Sequence, residues 1–179
     1  TKNGCTSARI AVSFSVKAPP SGITGENDIA EEESYSYSLT GLTAGVPIYG
    51  QWLVNDTQVH LGSNTSITVD WSESGSSTVT YELLNLNEDA IFPNADQYVA
   101  STQSRSVSVE PLVSPVITVS SNTCGDKTLS YSGSGHPNIT YYWQSSAGGT
   151  SIGSSGPLPV STSGTKYLRA KNSQNVWAA

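Results

Sequence analysis

The chain is 179 residues long, room for one large all-β domain or two small modules, with 12% charged and 36% hydrophobic residues and a net charge of −6. So few cations give phosphates little to bind, so nucleic acid is not an expected partner. No apolar run reaches the roughly 18 residues that span a bilayer, so membrane insertion by this segment is not expected, and the β-branched and aromatic content speaks against disorder.

Period-two alternation, the mark of strands with one buried and one wet face, recurs from the start. Ile10, Val12, Phe14 and Val16 share one face, with Ala11, Ser13, Ser15 and Lys17 on the other, until Pro19-Pro20-Ser21-Gly22 ends the strand. The acidic stretch Glu26 to Glu33 is expected to be solvated. Tyr35, Tyr37 and Leu39 then alternate with serines, Gly41 to Gly45 turns, and Trp52 and Val54 share the inner face of the next strand. Asn55-Asp56 suits a hairpin, since both tolerate left-handed backbone angles. Thr57 to Leu61 returns, Ile67, Val69 and Trp71 form a further inner face, and Val79, Tyr81 and Leu83 another. A polar stretch from Asn85 to Asp96 precedes a strand through Val107 and Val109.

Pro111 to Pro115 reads as a stiff linker. Beyond it, strands are expected at Val116 to Ser120, Lys127 to Ser132, Ile139 to Gln144, Leu158 to Thr162 and Lys166 to Lys171. The Gly/Ser run Ser145 to Gly156 reads as a flexible connection. Short strands about 8 to 12 residues apart with turn chemistry between them predict an all-β chain of two consecutive antiparallel β-sandwich modules.

The segment Ile23-Thr24-Gly25, Tyr35 to Leu39, Gly50-Gln51-Trp52-Leu53-Val54 and Ser66 to Trp71 resembles the PKD-like modules of large Bacteroidetes-type surface and secreted proteins, although it lacks a WxFGDG-like run. The second half, with Thr123-Cys124-Gly125, Thr140 to Gln144 and Tyr167-Leu168-Arg169-Ala170-Lys171-Asn172, resembles an Ig-like repeat of such proteins, some of which carry RHS repeats. In those repeats a cysteine follows the last of these strands. Val176 stands near that place here, leaving Cys124 without the partner the resemblance implies; from the residues alone, Cys5 and Cys124 are either bridged or free thiols.

Lys2-Asn3-Gly4-Cys5-Thr6-Ser7-Ala8 also resembles the tail from Lys171-Asn172 to Trp177-Ala178-Ala179. With no Met at position 1 and no signal-peptide h-region, the sequence reads as a piece of a longer precursor. Residues 1–18 are then expected to be the closing strand of a preceding module or an N-terminal strand, residues 19–111 a PKD-like sandwich, and residues 112–179 an Ig-like sandwich lacking its last strand. The strand Ile10 to Val16 has two ways to bury its apolar face: joining the sheet of its own first module, favoured by the short tether Ala18 to Gly22, or adding to the edge of a neighbouring molecule.

Catalytic chemistry finds little to work with. The two histidines, His60 in a strand and His136 in a turn, have no GxSxG or similar context among many serines. Asp70, Glu73, Glu82, Glu88 and Asp89 are the carboxylates available for glycoside hydrolysis, but they fall on strand ends or loops. Glu88, Asp89 and Asp96 offer the oxygen ligands calcium prefers, without EF-hand spacing. Trp52, Trp71 and Trp143 read as core. Tyr142, opposite in phase to Tyr141 and Trp143, is the candidate ligand contact, since exposed aromatic faces grip sugars and extended ligands.

No enzymatic activity and no cofactor are expected. The reading is a structural and interaction segment of a larger extracellular or cell-surface bacterial protein, acting in display, spacing or adhesion. Its partners are other domains of the same polypeptide and glycan or protein ligands. The rival reading is a carbohydrate-binding accessory module of a secreted enzyme.

Overall fold

Residues 18–44, 48–85, 98–113, 115–121, 126–133 and 135–178 are described by the computed structural model of the chain. The expected strand Ile10–Val16, both cysteines and the calcium candidates Glu88, Asp89 and Asp96 lie outside them.

The fold is all-β, with two sandwiches in succession. The first comprises β1 (Gly22–Thr24), β2 (Asp28–Ala30), β3 (Glu33–Thr40), β4 (Gly50–Val54), β5 (Thr57–Gly62), β6 (Ser66–Trp71), β7 (Gly75–Asn85) and β8 (Tyr98–Glu110). One sheet has the order β1-β3-β6, and the other β2-β8-β7-β4-β5. Pairing is antiparallel except where β2 runs parallel to β8.

Local sequence sets this order. Asn55 and Asp56 adopt φ of 48° and 62°, the left-handed pair that a two-residue hairpin demands, and so join β4 to β5. Val59 is the extra residue of a bulge: Trp52 lies opposite His60 and Leu53 opposite Gln58. The serines alternating with Tyr35, Tyr37 and Leu39 face water and bond across the pair, Ser36 Oγ lying 2.9 Å from Thr68 Oγ1. Between the sheets, Ile29, Tyr37, Trp52, Val79 and Tyr81 are wholly buried. Trp52 meets Tyr81 edge-on at 5.1 Å, and Tyr37 meets Trp71 at 6.1 Å, spacings that favour aromatic pairs. Burial pushes the Tyr37 phenol up to about 12.

The second sandwich comprises β9 (Val116–Ser121), β10 (Lys127–Ser132), β11 (Ile139–Gln144), β12 (Leu158–Val160) and β13 (Tyr167–Asn172). Its sheets are β12-β10-β9 and the two-stranded β11-β13. Tyr141, Trp143, Leu168 and Ala170 from one sheet meet Leu129, Tyr131 and Leu158 from the other, and Ala30 of β2 joins this core.

Three expectations change. The stretch Glu26 to Glu33 is not a solvated run. It contains β2, whose Ile29 enters the first core and whose Ala30 enters the second, and Glu33 is itself buried. Around Pro111 to Pro115 the chain is anchored: Leu112 is buried, and its N–H donates to Glu31 Oε2 at 3.0 Å. The Gly/Ser run from Ser145 to Gly156 is laced to the sandwich. Gln144, buried beneath it, donates Nε2 to the Ser151 carbonyl at 2.8 Å and accepts the Ser151 N–H at 3.0 Å, while Trp143 Nε1 donates to the Gly156 carbonyl at 2.7 Å. A buried amide and indole need partners, and a run of small residues brings its carbonyls close enough to serve.

Candidate functional site

The densest polar arrangement lies where the two sandwiches meet, centred on Glu33. Glu33 continues the inner face of Tyr35, Tyr37 and Leu39 at the first position of β3, just after Glu32 turns the chain with a φ of 63°. Its carboxylate would be costly to bury unpaired. Instead five donors converge on it. Oε1 accepts from the Ser173 N–H at 3.0 Å and the Ser173 hydroxyl at 2.5 Å. Oε2 accepts from the Ala30 N–H at 3.1 Å, the Tyr35 hydroxyl at 3.1 Å and Asn138 Nδ2 at 3.2 Å.

Burial alone would raise the Glu33 pKa, but the hydrogen bonds from Ser173, Ala30, Tyr35 and Asn138 together outweigh it and hold the carboxyl below its usual range. Tyr35 shifts up, first through burial and then through the hydrogen bond and charge of Glu33, so it remains a neutral donor.

Around this centre the backbones are tied as well. Asn172 Nδ2 donates to the carbonyls of Glu31 at 3.0 Å and Glu32 at 3.1 Å. Gln174 bonds both ways to Ser34, accepting its N–H at 2.9 Å and donating to its carbonyl at 2.8 Å. At the rim His136 Nε2 lies 3.3 Å from Asp28 Oδ1. Such an arrangement orients two bodies. Both oxygens of Glu33 are taken up by donors, from β2 and β3 on one side and from Asn138 and Ser173 on the other.

A second feature lies on the outer face of β11-β13. Tyr142 points away from the core, as its phase predicts, and meets Trp177 at 5.6 Å. Lys171 Nζ sits 5.9 Å from the Tyr142 ring and 5.8 Å from the Trp177 ring, and the Arg169 guanidinium lies 5.7 Å from Trp177. Arg169 also donates Nη1 to the Gly149 carbonyl at 2.9 Å and Nη2 to the Ala178 carbonyl. Two half-buried aromatics with two cations at their faces make a patch able to stack a ring and pair an anion.

The sequence-derived residues therefore separate. Trp52, Trp71 and Trp143 are 0%, 4% and 6% exposed, in the two cores. Tyr142 is brought together with Trp177, Arg169 and Lys171. Among the described residues no group of three or more His, Cys, Asp or Glu side chains converges as a metal site would require, and no helix is long and apolar enough to cross a membrane. Sequence reasoning missed Glu33, Asn138, Asn172 and Ser173. One signal was present: Glu33 keeps the period-two phase of the buried tyrosines that follow it.

No protein-family model and no curated protein matches the chain. Among solved structures, the fibronectin(III)-like modules of Clostridium thermocellum CbhA align over 88% of this chain and 89% of that one, at 9% identity and a TM-score of 0.36. So loose a likeness carries no argument about function.

Proposed function

We propose that the chain is a non-catalytic structural and interaction segment of a larger extracellular or cell-surface protein, acting in display, spacing or adhesion. The observation that carries this reading is the joint at Glu33. Modules that display or space must hold a fixed angle, and interfaces between domains otherwise default to relative motion. Here a buried carboxylate with five donors, and the Asn172 and Gln174 links beside it, couple the sandwiches through side chains rather than through a linker. On this reading residues 19–111 and 112–179 are separate modules, their partners include other domains of the same polypeptide, and no cofactor takes part.

Incubation with ester, peptide and glycoside substrates, with and without calcium, tests the non-catalytic part. No turnover is expected. Turnover abolished by replacing a single residue of the chain overturns the reading.

The outer face of β11-β13 favours one further reading, a carbohydrate-binding accessory role. Tyr142 and Trp177 supply apolar ring faces, and Lys171 and Arg169 supply charge for a carboxylated sugar. On a glycan array, uronate-rich ligands retained by the native chain and lost by Tyr142→Ala support it. An array with no specific signal removes it.

A further inference from the structure

On β13, Leu168 and Ala170 point into the core, so Tyr167, Arg169 and Lys171 stand in a row on the outer face, with Tyr142 of β11 directly opposite Arg169. From Tyr167 to Lys171 the row runs about 13 Å, longer than a single sugar ring. It has a border on either side. Beyond β11, the Gly149 N–H donates to the Ser146 carbonyl at 3.1 Å, and a side chain on Gly149 would come within 2.7 Å of Gln144 Oε1, so this turn is seated on the strand. Beyond β13, the tail pairs Trp177 with Lys171.

The two cations on this face are held differently. Arg169 spends its donors on the borders, Nη1 on the Gly149 carbonyl at 2.9 Å and Nη2 on the Ala178 carbonyl, while its guanidinium lies over Trp177. It ties the turn to the tail and fixes the Trp177 ring between them. Lys171 is tied to neither border. Its Nζ stands over the Tyr142 and Trp177 rings at 5.9 and 5.8 Å, and among the described residues its side chain has no hydrogen bond and no carboxylate partner. An ammonium on a flexible four-carbon stem can leave a ring face for an anion, which a guanidinium bonded at both ends cannot do without losing those bonds.

That difference discriminates between ligands. A neutral sugar stacking on Tyr142 or Trp177 competes with the ammonium for the ring faces and gives it nothing in return. A sugar bearing a carboxylate draws the ammonium onto itself and leaves the rings free to stack. The distribution of charge along the chain favours the second case. Residues 19–111 hold 13 of the 14 acids, with Arg105 as their sole Lys or Arg, whereas residues 112–179 hold Lys127, Lys166, Arg169 and Lys171 against Asp126 alone. A polyanion is therefore repelled by the first sandwich and drawn to the second.

We infer that Lys171 is the residue that selects carboxylated over neutral sugars on this face, and that Arg169 is a positioning residue that holds Trp177 and the turn at Gly149 around it. The inference rests on the carbohydrate-binding reading of the same face and adds to it which cation reads the ligand's charge.

The test is calorimetric titration of the whole chain with an oligogalacturonate and with its methyl ester, which keeps the rings and removes the charge. The native chain is expected to bind the acid about tenfold more tightly than the ester, an advantage that shrinks as salt is raised. Lys171→Gln removes that advantage and leaves the ester bound at least as well as before, which also shows that the variant is folded. Lys171→Arg keeps a preference for the acid. Tyr142→Ala and Arg169→Gln each weaken acid and ester by the same factor. Binding of both ligands by the native chain with equal affinity, a preference that survives Lys171→Gln, or one that Arg169→Gln alone abolishes overturns the assignment of Lys171 and leaves the carbohydrate-binding reading standing. A native chain that binds neither ligand overturns both.

Discussion

The first sandwich closes its core and the second does not. Across β3, β4, β6 and β7 the inner faces centre on sealed side chains, Trp52, Tyr81 and Val79 completely, with Tyr35, Val54, Ile67, Val69 and Leu83 half-buried around them, because a five-stranded sheet covers a three-stranded one. Among the described residues of the second, three strands face two, and Val119 and Ile117 stay open although their phase is that of core residues. Alternation thus sets which way a side chain points. Whether it is buried depends on the number of strands opposite, a property of the whole sheet.

Large-to-small changes should separate the two cores most strongly. Trp52→Ala is expected to cost near the top, and Trp143→Ala near the bottom, of the ~3–5 kcal/mol typical of such changes, because the open core around Trp143 can relax into the space. Chemical denaturation of both variants checks this, and equal losses would show the second core to be as tightly packed as the first.

The joint comes next. Glu33→Gln should cost about 2 to 3 kcal/mol, since an amide turns a donor toward groups that also donate. The effect carries a pH signature. The native carboxyl titrates below its ordinary 4.5, so the stabilisation it gives is fully present above that value and is lost as pH falls through the lower folded value. Stability measured against pH should fall in that acid range for the native chain. In Glu33→Gln this component of the fall is absent, and an unchanged profile would mean Glu33 is not the group responsible.

Smaller effects sharpen the picture. Gln144→Ala should cost about 1 to 2 kcal/mol and speed amide exchange at Ser151, whose N–H it would leave without its acceptor. Val119→Thr should change stability by less than about 0.5 kcal/mol, as at other exposed positions, while Val79→Thr in the sealed core is clearly destabilising. Thermal melting of the pair reads the contrast directly.

Much of the strand framework was legible, because β11 and β10 are bounded by glycine or proline turns and alternate cleanly. The hairpin at Asn55-Asp56 was legible for a local reason too, the backbone angles its residues tolerate. β2 was not. Three residues inside a run of acids show no period, and Ile29 and Ala30 are buried by two different cores. The role of Glu33 was hidden for a related reason: its partners Asn138 and Ser173 lie 105 and 140 residues away, and a carboxylate before a strand is ordinarily solvated. Tyr142 was legible through its phase, whereas its neighbour Trp177 comes from a tail with no alternation to place it. The order of the Gly/Ser run depends on Gln144 and Trp143 beneath it, so its composition alone suggested a looser connection than the structure holds.

Hydrogen bonds around Glu33 tie the two sandwiches into one rigid unit. Nitrogen relaxation on the labelled chain, analysed separately for β3–β8 and for β10–β13, tests it most directly. One shared rotational diffusion tensor is predicted for the native chain, and two independent ones for Glu33→Ala. Independent tumbling of the two sandwiches in the native chain would contradict the account.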